Sequence, residues 1–485
     1  MEQIRELIRK HIEANGYTIY SISNQSRINR TNLQKMLSGQ RRLTTDAYDK
    51  LIPLLSLSPM EKDEFDKAFL IDQIGYERYQ THLQVKNILE IPAETLSQAS
   101  DTLADSFITD IENLPSYTLL HDRFQITNLI YSIIYNAVSH ISEPYLYIYA
   151  DMSNAYMPIL LKQFYNSHFS NLNIVQLLEF RKVQELSGNY DNLHNLKILT
   201  SLLPFFSAFP GKFTVHYYYA AHNDAHLSAI AFPNYMITNT HVIFLSPEFD
   251  TAFFVSNEDF HRHYMDVFGK AVGKSFVLTR GEQTAAELLD SLINVSPATN
   301  YPICINVQPT LEKYFTPEML DKYMLDTPYR DILREKLLFR ISQLALENHT
   351  VMFTEEGLEL FTKHGKNINF PDELAKRIDV PDRISILEQI IATNDDPDDC
   401  TFLLLDKQKL HTSLNLTISF VPPMTTYLLL TRADGTSMII PLQEHTICSS
   451  IMDFVQNMAG YGLVLSVDET NAILRRHIDE LRRQE

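Results

Sequence analysis

The sequence predicts a multi-domain protein with a small all-α N-terminal domain, a helical connector and a large α/β region. Three observations favour this fold class. A chain of 485 residues is too long for one ordinary core, which predicts about three domains. Apolar residues recur at helical spacing in residues 1–58, whereas all-apolar runs typical of covered strands begin near residue 145. The hydrophobic content of 45% is sufficient for a folded chain. The predicted segments are 1–58, 59–115, 116–295 and 296–485.

Charge is unevenly distributed along the chain. The whole chain has a formal charge of −19, whereas residues 1–58 contain nine Lys or Arg and five Asp or Glu, a net charge of +4. No acidic residue lies between Glu13 and Asp46. A basic segment on an acidic protein is typical of a surface that binds a polyanion; a solvated helical face is the ordinary alternative.

The first two helices are predicted from apolar spacing and from their end signals. The apolar stripe of the first helix consists of Ile4, Leu7, Ile8 and Ile12. Asn15-Gly16 ends this helix, and Thr18 is a suitable N-cap for a second helix that carries Ile19 and Ile22.

The segment Arg27–Gly39 predicts a short third helix with one dry and one polar face. Asn29 is placed to cap it, and Gly39 follows where a positive φ ends a helix. Leu33, Met36 and Leu37 recur at i, i+3 and i+4 and predict the buried face. The opposite face carries Thr31, Gln34, Lys35 and Ser38. A fourth helix between Leu43 and Leu55 closes the predicted core.

With these four helices, residues 1–58 resemble the helix-turn-helix domain of phage-repressor-type (Cro-like, XRE family) transcriptional regulators. In that family the third helix lies in the major groove, so the resemblance implies a double-stranded DNA operator as partner. The DNA-binding candidates that the resemblance and the basic window supply are Arg27, Asn29, Arg30, Thr31, Asn32, Gln34, Lys35, Arg41 and Arg42. Arg27 stands where the family usually has glycine, so we expect either a strained turn or a phosphate contact there.

The connector and the α/β region follow in order. Ser58-Pro59 predicts a helix start, with helix continuing to about Glu90. Further helices are predicted at Ser97–Leu114, Arg123–Ile141, Asn257–Val272 and Thr284–Ile293. Strands are predicted at Tyr145–Ala150, Phe213–Ala220, Leu227–Phe232, Tyr235–Thr238, His241–Leu245, Phe276–Thr279 and Tyr301–Val307. Asp434-Gly435 predicts a hairpin turn between strands Tyr427–Ala433 and Thr436–Pro441, and Ser466 with Glu469 predicts a capping box for the last helix.

The two α/β segments resemble each other in their order of elements. Pro233–Phe268 and Met424–Phe454 both read as strand, turn, strand and a helix rich in Met and Phe. This pattern raises the hypothesis of a duplicated effector region. The sequence identity between the two segments is too low to test it.

Polar residues at predicted strand ends are the candidates for a ligand site. In open α/β sheets, ligands bind outside the carboxyl ends of the strands. The candidates are Asp151, Ser153, Asn154, His222, Asn306 and Gln308. The ordinary alternative is that they are loop residues without a ligand.

Other chemical motifs do not support catalysis or metal binding. Gly269–Ser275 lacks the spacing of a phosphate-binding loop and is interpreted as a helix end. The histidines near His222 and the acidic run at residues 395–399 match no metal-site pattern closely. Three scattered cysteines predict neither a disulfide framework nor a zinc site. We therefore predict no cofactor, no metal and no enzymatic activity.

The functional prediction is a cytoplasmic, sequence-specific transcriptional regulator with a C-terminal ligand-sensing and dimerisation domain. A homodimer and a small-molecule or peptide effector are the expected partners besides DNA. No apolar run of about 18 residues and no signal sequence occur, so no membrane association is predicted. The alternative from another class is a helix-turn-helix-fused enzyme, or a defence or antitoxin protein, in which the DNA-binding domain targets or autoregulates.

Overall fold

A computed structural model shows two compact units, Met1–Leu83 and Gln84–Glu485. It describes residues 3–91, 111, 114–164, 167–181, 192–208, 212–220, 232–279, 303–327, 330–344, 349–368, 370, 374–396, 399–411, 416–421, 425–431 and 437–483. In the described residues the first unit is all-α and the second is mixed α/β. The predicted multi-domain class is confirmed at this level.

The first unit is built from short capped helices. They are α1 (Gln3–Ala14), α2 (Ile19–Ser26), α3 (Arg30–Leu37), α4 (Thr45–Leu51), α5 (Pro59–Ile74) and the greater part of α6 (Tyr76–Leu89). Thr18 caps α2 and Ser58 caps α5, each in a reciprocal capping box. Helix does not run unbroken to Glu90, because Gly75 takes a φ of 85° between α5 and α6.

Helix α5 completes the core of the first unit. Phe65 and Phe69 are buried together with the apolar residues of α1–α4. Tyr48 stacks on Phe69 with ring centroids 4.0 Å apart, and its hydroxyl donates to Asp66 at 2.7 Å. The buried Asp72 carboxylate lies 3.7 Å from the Arg5 guanidinium. The predicted connector is thus divided: its first helix packs with residues 1–58, because four short helices leave one face of their core uncovered.

Eight described strands of the second unit form one mixed sheet, in the order β1-β7-β6-β5-β2-β3-β4-β8. They are β1 (Tyr117–Leu120), β2 (Tyr145–Tyr149), β3 (Asn173–Arg181), β4 (Phe213–Ala220), β5 (Asn234–Thr238), β6 (Val242–Leu245), β7 (Ala252–Val255) and β8 (Phe276–Thr279). The accompanying helices are α7 (Arg123–His140), α8 (Tyr156–Lys162), α9 (Asn192–Ala208) and α10 (Glu258–Val272).

Six further strands form a second sheet, in the order β11-β10-β9-β12-β13-β14. They are β9 (Ile303–Asn306), β10 (Thr350–Phe353), β11 (Thr401–Leu404), β12 (Leu416–Val421), β13 (Thr425–Thr431) and β14 (Ser437–Leu442). The helices here are α11 (Pro317–Tyr323), α12 (Arg330–Leu344), α13 (Glu355–His364), α14 (Val380–Asn394), α15 (His445–Asn457) and α16 (Val467–Arg482).

The two sheets contain the same six-strand arrangement. We name residues 145–272 (β2 to α10) repeat 1 and residues 303–457 (β9 to α15) repeat 2. In each repeat the first strand is central, and the second and third strands add in parallel on one side. The fourth, fifth and sixth strands add as an antiparallel meander on the other side. The duplication hypothesised from the sequence is therefore present in the topology.

The two segments that the sequence analysis matched are shifted by one strand relative to the repeats of the structure. Met424–Phe454 contains the fifth and sixth strands of repeat 2, whereas Pro233–Phe268 begins with the fourth strand of repeat 1. Strands β1, β3, β7, β10, β11 and β12 were not predicted. The predicted Leu227–Phe232 strand, the Thr284–Ile293 helix and most of the Ser97–Leu114 helix lie outside the described residues.

The repeats share one apolar core. Buried residues of α7, α9 and the first sheet pack with Ile418, Leu428 and Ile451 of repeat 2. The other face of the second sheet packs against α13, α14 and α16. The last helix begins as predicted, since Ser466 and Glu469 form its capping box.

Repeat 2 is closed tightly where α13 meets the end of β9. The Thr354 hydroxyl caps α13 by accepting from the Gly357 amide at 3.0 Å, and it donates to the Val307 carbonyl at 2.9 Å. A Cβ added at Gly357 would lie 1.9 Å from that same carbonyl oxygen. Only glycine fits at this position without moving backbone.

Substituting this glycine should destabilise the second unit. We expect Gly357→Ala to lower the free energy of unfolding by about 1–3 kcal/mol, because backbone must shift to admit the methyl group. The matched control is Gly269→Ala in α10, where an added Cβ meets nothing within 4 Å. That change should raise stability by about 0.5–1 kcal/mol. Urea unfolding followed by circular dichroism measures both, and equal effects would contradict the close contact.

Candidate functional site

The predicted recognition helix α3 is capped at both ends. The Asn29 side-chain oxygen accepts from the amides of Thr31 at 2.9 Å and Asn32 at 3.4 Å. Gly39 takes a φ of 82° beyond the last turn. Leu33, Met36 and Leu37 are buried, so the predicted dry face of α3 is confirmed.

The turn between α2 and α3 has an unusual backbone conformation at Arg27. This residue, for which the resemblance implied a strained turn or a phosphate contact, adopts the left-handed conformation with φ 56° and ψ 24°. The Ser23 hydroxyl donates to the Ile28 carbonyl at 2.9 Å, and Ser26 accepts from the Ile28 amide at 3.3 Å. These two buried serines hold the turn in a conformation that costs a non-glycine residue free energy.

The predicted DNA-binding residues lie on one short stretch of surface. All are exposed except Asn32, which is half-buried. Arg41 donates to the Asn32 side-chain oxygen at 3.1 Å, so it lies beside α3. The Arg42 guanidinium instead donates to the Gln73 carbonyl at the end of α5. Arg42 therefore has a structural contact within the first unit, which the sequence could not indicate.

A second candidate site is an open cavity of about 240 Å³ in repeat 1, at the carboxyl ends of β2 and β3. Its lining residues are Tyr149, Ala150, Asp151, Met152, Leu177, Leu178, Glu179, Arg181, His194, Ile198, Pro233, Asn234 and Pro247. Of the predicted ligand residues, Asp151 lines the cavity, and Ser153 and Asn154 lie in the turn that follows it.

The Asp151 carboxylate is held by its own turn. It accepts from the Ser153 amide at 2.8 Å and from the Ser153 hydroxyl at 2.9 Å. The Asp151 amide donates to the Asn234 side chain at 3.2 Å, which ties the end of β2 to the start of β5. Asn154 accepts from the Tyr156 amide at 3.0 Å and so starts α8.

Tyr149 and Glu179 line the cavity and are linked through Tyr218, which lies behind them. The hydroxyls of Tyr149 and Tyr218 lie 2.6 Å apart, and Tyr218 donates to the Glu179 carboxylate at 3.4 Å. Burial raises the pKa of Tyr149, and burial with the neighbouring Tyr149 and Glu179 raises the pKa of Tyr218. Both phenols therefore remain protonated donors at neutral pH.

Arg181 is positioned by a buried network that joins the two repeats. The Asn195 side chain accepts from the Arg181 amide at 2.9 Å and donates to the Arg181 carbonyl at 3.0 Å. It also donates to Thr446 at 3.0 Å, whose hydroxyl donates to Glu444 at 2.6 Å. The fully buried Glu444 carboxylate also accepts a hydrogen bond from the Tyr219 hydroxyl at 2.7 Å. Burial of Tyr219 raises the pKa of its phenol, and the hydrogen bond to Glu444 raises it further.

The remaining predicted ligand residues do not join Asp151. Asn306 is the last residue of β9 in the other sheet, and Gln308 follows that strand. The Asn306 side chain donates to Thr310 at 3.3 Å. The Gln308 amide group donates to the Gly357 and Lys366 carbonyls and accepts from the Ile368 amide. The structure does not bring these two residues together with Asp151, because each repeat has its own strand ends. His222 lies outside the described residues.

The sequence analysis did not include three polar residues of the cavity among its ligand candidates, namely Glu179, Arg181 and His194. Glu179 and Arg181 belong to β3, which was not predicted, and His194 lies in the first turn of α9. The available signal was the apolar run Asn173–Arg181, which ends in charged residues where a parallel strand meets its carboxyl edge.

The other motifs are placed as structural features. Gly273 is the C-cap of α10, so the loop-like sequence there is a helix end. His216 lies on β4 and contacts the Ser275 hydroxyl at 3.1 Å. In the part of the chain that the structure describes, no group of three or more His, Cys, Asp or Glu side chains is placed to hold a metal, and all three cysteines are buried and unbridged.

Comparisons with known proteins add one likeness. No family model and no curated protein matches the sequence. Among solved structures, the chain is similar to a polyphosphate kinase from Porphyromonas gingivalis, with 12% identity and a TM-score of 0.22 over 75% of this chain. The match spans 53% of the kinase chain, about half of its length. At this TM-score neither the fold nor the reaction of that kinase is carried over to this chain.

The comparisons correct the functional prediction. No family model and no curated protein supports the interpretation as a transcriptional regulator with a ligand-sensing and dimerisation domain, and the solved structure found is described as a polyphosphate kinase and not as a DNA-binding regulator. That interpretation is therefore not retained, and the comparisons do not support the expectation of a chain without enzymatic activity either. Homodimerisation remains a prediction. Within the described ranges, no helix is both long and apolar enough to cross a bilayer.

Relieving the backbone conformation at Arg27 should stabilise the α2–α3 segment. We expect Arg27→Gly to lower the rate of amide hydrogen exchange in residues 19–37 by a factor that corresponds to about 0.5–1 kcal/mol, because glycine adopts φ 56° without a steric penalty. Arg27→Ala is the control, since it removes the guanidinium but keeps the Cβ. Slower exchange in both variants would show that charge, not conformation, is responsible.

Proposed function

We propose that residues 1–58 form a helix-turn-helix module that binds double-stranded DNA and tethers the α/β unit to it. The observation that carries the proposal is the outward face of α3, which is exposed, cationic and free of acids over a helix capped at both ends. The proposal concerns binding and targeting, and it assigns no role in transcription.

The size and the end geometry of α3 suit the major groove. The groove is about 12 Å wide and admits a single helix, whose N-terminal residues contact base edges. Arg30 and Thr31 occupy the first turn of α3, and Gln34 follows one turn later on the same side. Arginine forms paired hydrogen bonds with guanine and glutamine with adenine, so these side chains suit base recognition.

The flanking charges suit contacts with the DNA backbone. Arg27 is exposed in the turn before α3 and Lys35 in the last turn of α3, and Arg41 lies beside α3 through Asn32. Residues 1–58 have a net charge of +4 in a chain of −19, which favours the approach of this face to a polyanion. Arg42 is expected to contribute less, because its guanidinium already contacts Gln73.

The proposal predicts a division between base reading and phosphate contact. After a preferred duplex has been selected from random sequence with the full-length chain, Arg30→Ala should weaken binding to it by about 1–3 kcal/mol and relax sequence preference. Arg41→Ala should weaken binding to all duplexes alike and reduce the slope of log K against log salt by about 1. Fluorescence anisotropy over a salt series measures both effects.

A matched variant tests whether the location of the charge matters. Lys62 is exposed on α5 and away from the α2–α3 segment in sequence, so Lys62→Ala removes one positive charge outside the proposed interface. It should leave affinity and preference unchanged. An affinity loss equal to that of Arg30→Ala, or no binding of any duplex at low salt, would contradict the proposal.

A further inference from the structure

The central strands of the two repeats, β2 and β9, end at equivalent positions, but the space beyond each strand end differs. The last residue pair of β2 with β3 is Tyr149 with Leu177, and the last pair of β9 with β10 is Asn306 with Phe353. Asp151 and Gln308 therefore both lie two residues beyond the paired strand. This equivalence allows the two strand ends to be compared within one chain.

In repeat 2 the space beyond the central strand is filled by the protein itself. The Gln308 side chain uses both its amide nitrogen and its oxygen on backbone groups, at distances of 2.9–3.0 Å. Gly357 lets α13 approach so closely that a single Cβ would collide with the Val307 carbonyl. Backbone of the protein itself therefore occupies the positions next to the Gln308 side chain.

In repeat 1 the same place is open. The Asp151 carboxylate turns back to Ser153 instead of bridging to a neighbouring segment, and a cavity of about 240 Å³ remains between the ends of β2 and β3 and helix α9. Its floor is apolar, with Leu178 and Ile198 buried. The opening lies beyond the carboxyl end of a central strand, which is where ligands bind in open α/β sheets. This strand, β2, has a parallel neighbour on one side and an antiparallel neighbour on the other.

The wall of this cavity carries charges of both signs. Asp151 and Glu179 supply carboxylates, while Arg181 and His194 supply cationic or hydrogen-bonding nitrogen groups. A dianionic phosphate would meet two carboxylates, and a simple cation would meet the guanidinium. A ligand that carries separated positive and negative charges matches both sets of groups.

We propose that the cavity of repeat 1 binds a small zwitterion of the amino-acid class, with its ammonium group toward the carboxylates and its carboxylate toward Arg181 and His194. The volume favours a ligand of this size, because pockets for drug-sized molecules measure roughly 300–1,000 Å³. The phosphates of a nucleotide would meet the carboxylates of Asp151 and Glu179 in the same space. This site is independent of the DNA-binding proposal.

The test is calorimetric titration of the full-length protein with each proteinogenic amino acid. At least one should bind with saturable heat at one site. Its amide and its N-acetyl derivative, each of which lacks one of the two charges, should bind about tenfold more weakly or not at all, since each loses a charge-assisted hydrogen bond. This comparison uses only the wild-type chain, so it does not depend on the folding of any variant.

Variants then locate the bound amino acid. Asp151→Gln introduces the residue that repeat 2 has at the equivalent position, and Arg181→Gln removes the guanidinium while Asn195 still holds the backbone. Each should weaken binding about tenfold or more. Ser153→Ala keeps the Asp151 charge but removes the hydroxyl contact, so it reports the effect of the turn alone.

A charge-matched control lies on α10. Asp259→Asn with Arg262→Gln removes an exposed acid–base pair, whose side chains are 90% and 69% exposed, without touching the cavity. Affinity should be unchanged in this variant. The proposal is overturned if no amino acid binds, if the singly charged derivatives bind as well as the parent, or if Asp151→Gln and Arg181→Gln both bind like the wild type.

Discussion

The architecture of the second unit depends on how the central strand of each repeat is paired. Tyr147 of β2 pairs in parallel with Val175 on one side and antiparallel with Ile237 on the other, and Ile305 of β9 pairs in the same way with Met352 and Ile418. Because the neighbours run in opposite directions on the two sides, the carboxyl end of β2 lies between the end of β3 and the start of β5. The residues that follow the central strand decide whether the space beyond that end is filled.

A buried carboxylate links the two repeats and reaches the edge of this space. Glu444 is fully buried, and such a group is tolerated only when its lone pairs are satisfied. Tyr219 of repeat 1, Thr446 and the Ile447 amide supply three donors. Thr446 continues to Asn195, which clamps the backbone of Arg181. The repeat interface and the cavity wall are therefore parts of one hydrogen-bond network.

The first unit contains very short helices, which need stabilising contacts beyond their own hydrogen bonds. An isolated helix of eight residues is marginal, so α2 and α3 depend on caps and on a shared core. Thr18 and Asn29 provide the caps, and α5 covers the core with Phe65 and Phe69. The outward face of α3 therefore does not pack in the core. Asn32 makes a contact there, because its side-chain oxygen accepts a hydrogen bond from Arg41.

Local signals in the sequence determined the elements whose causes are local. The caps at Thr18, Asn29 and Ser466, the buried face of α3 and the strand Phe213–Ala220 all follow from residues within a few positions of each other. Asp151 and Gln308 were both selected as polar residues after a strand, and sequence gave no means to separate them.

Tertiary structure alone decided which strand end is open, because the closure of repeat 2 depends on Gly357 and on backbone some 50–60 residues from Gln308. It also decided that α5 belongs to the first core and that Glu179 and Arg181 face a cavity. Such outcomes rest on contacts between distant segments, whose free energy depends on packing that no local pattern records.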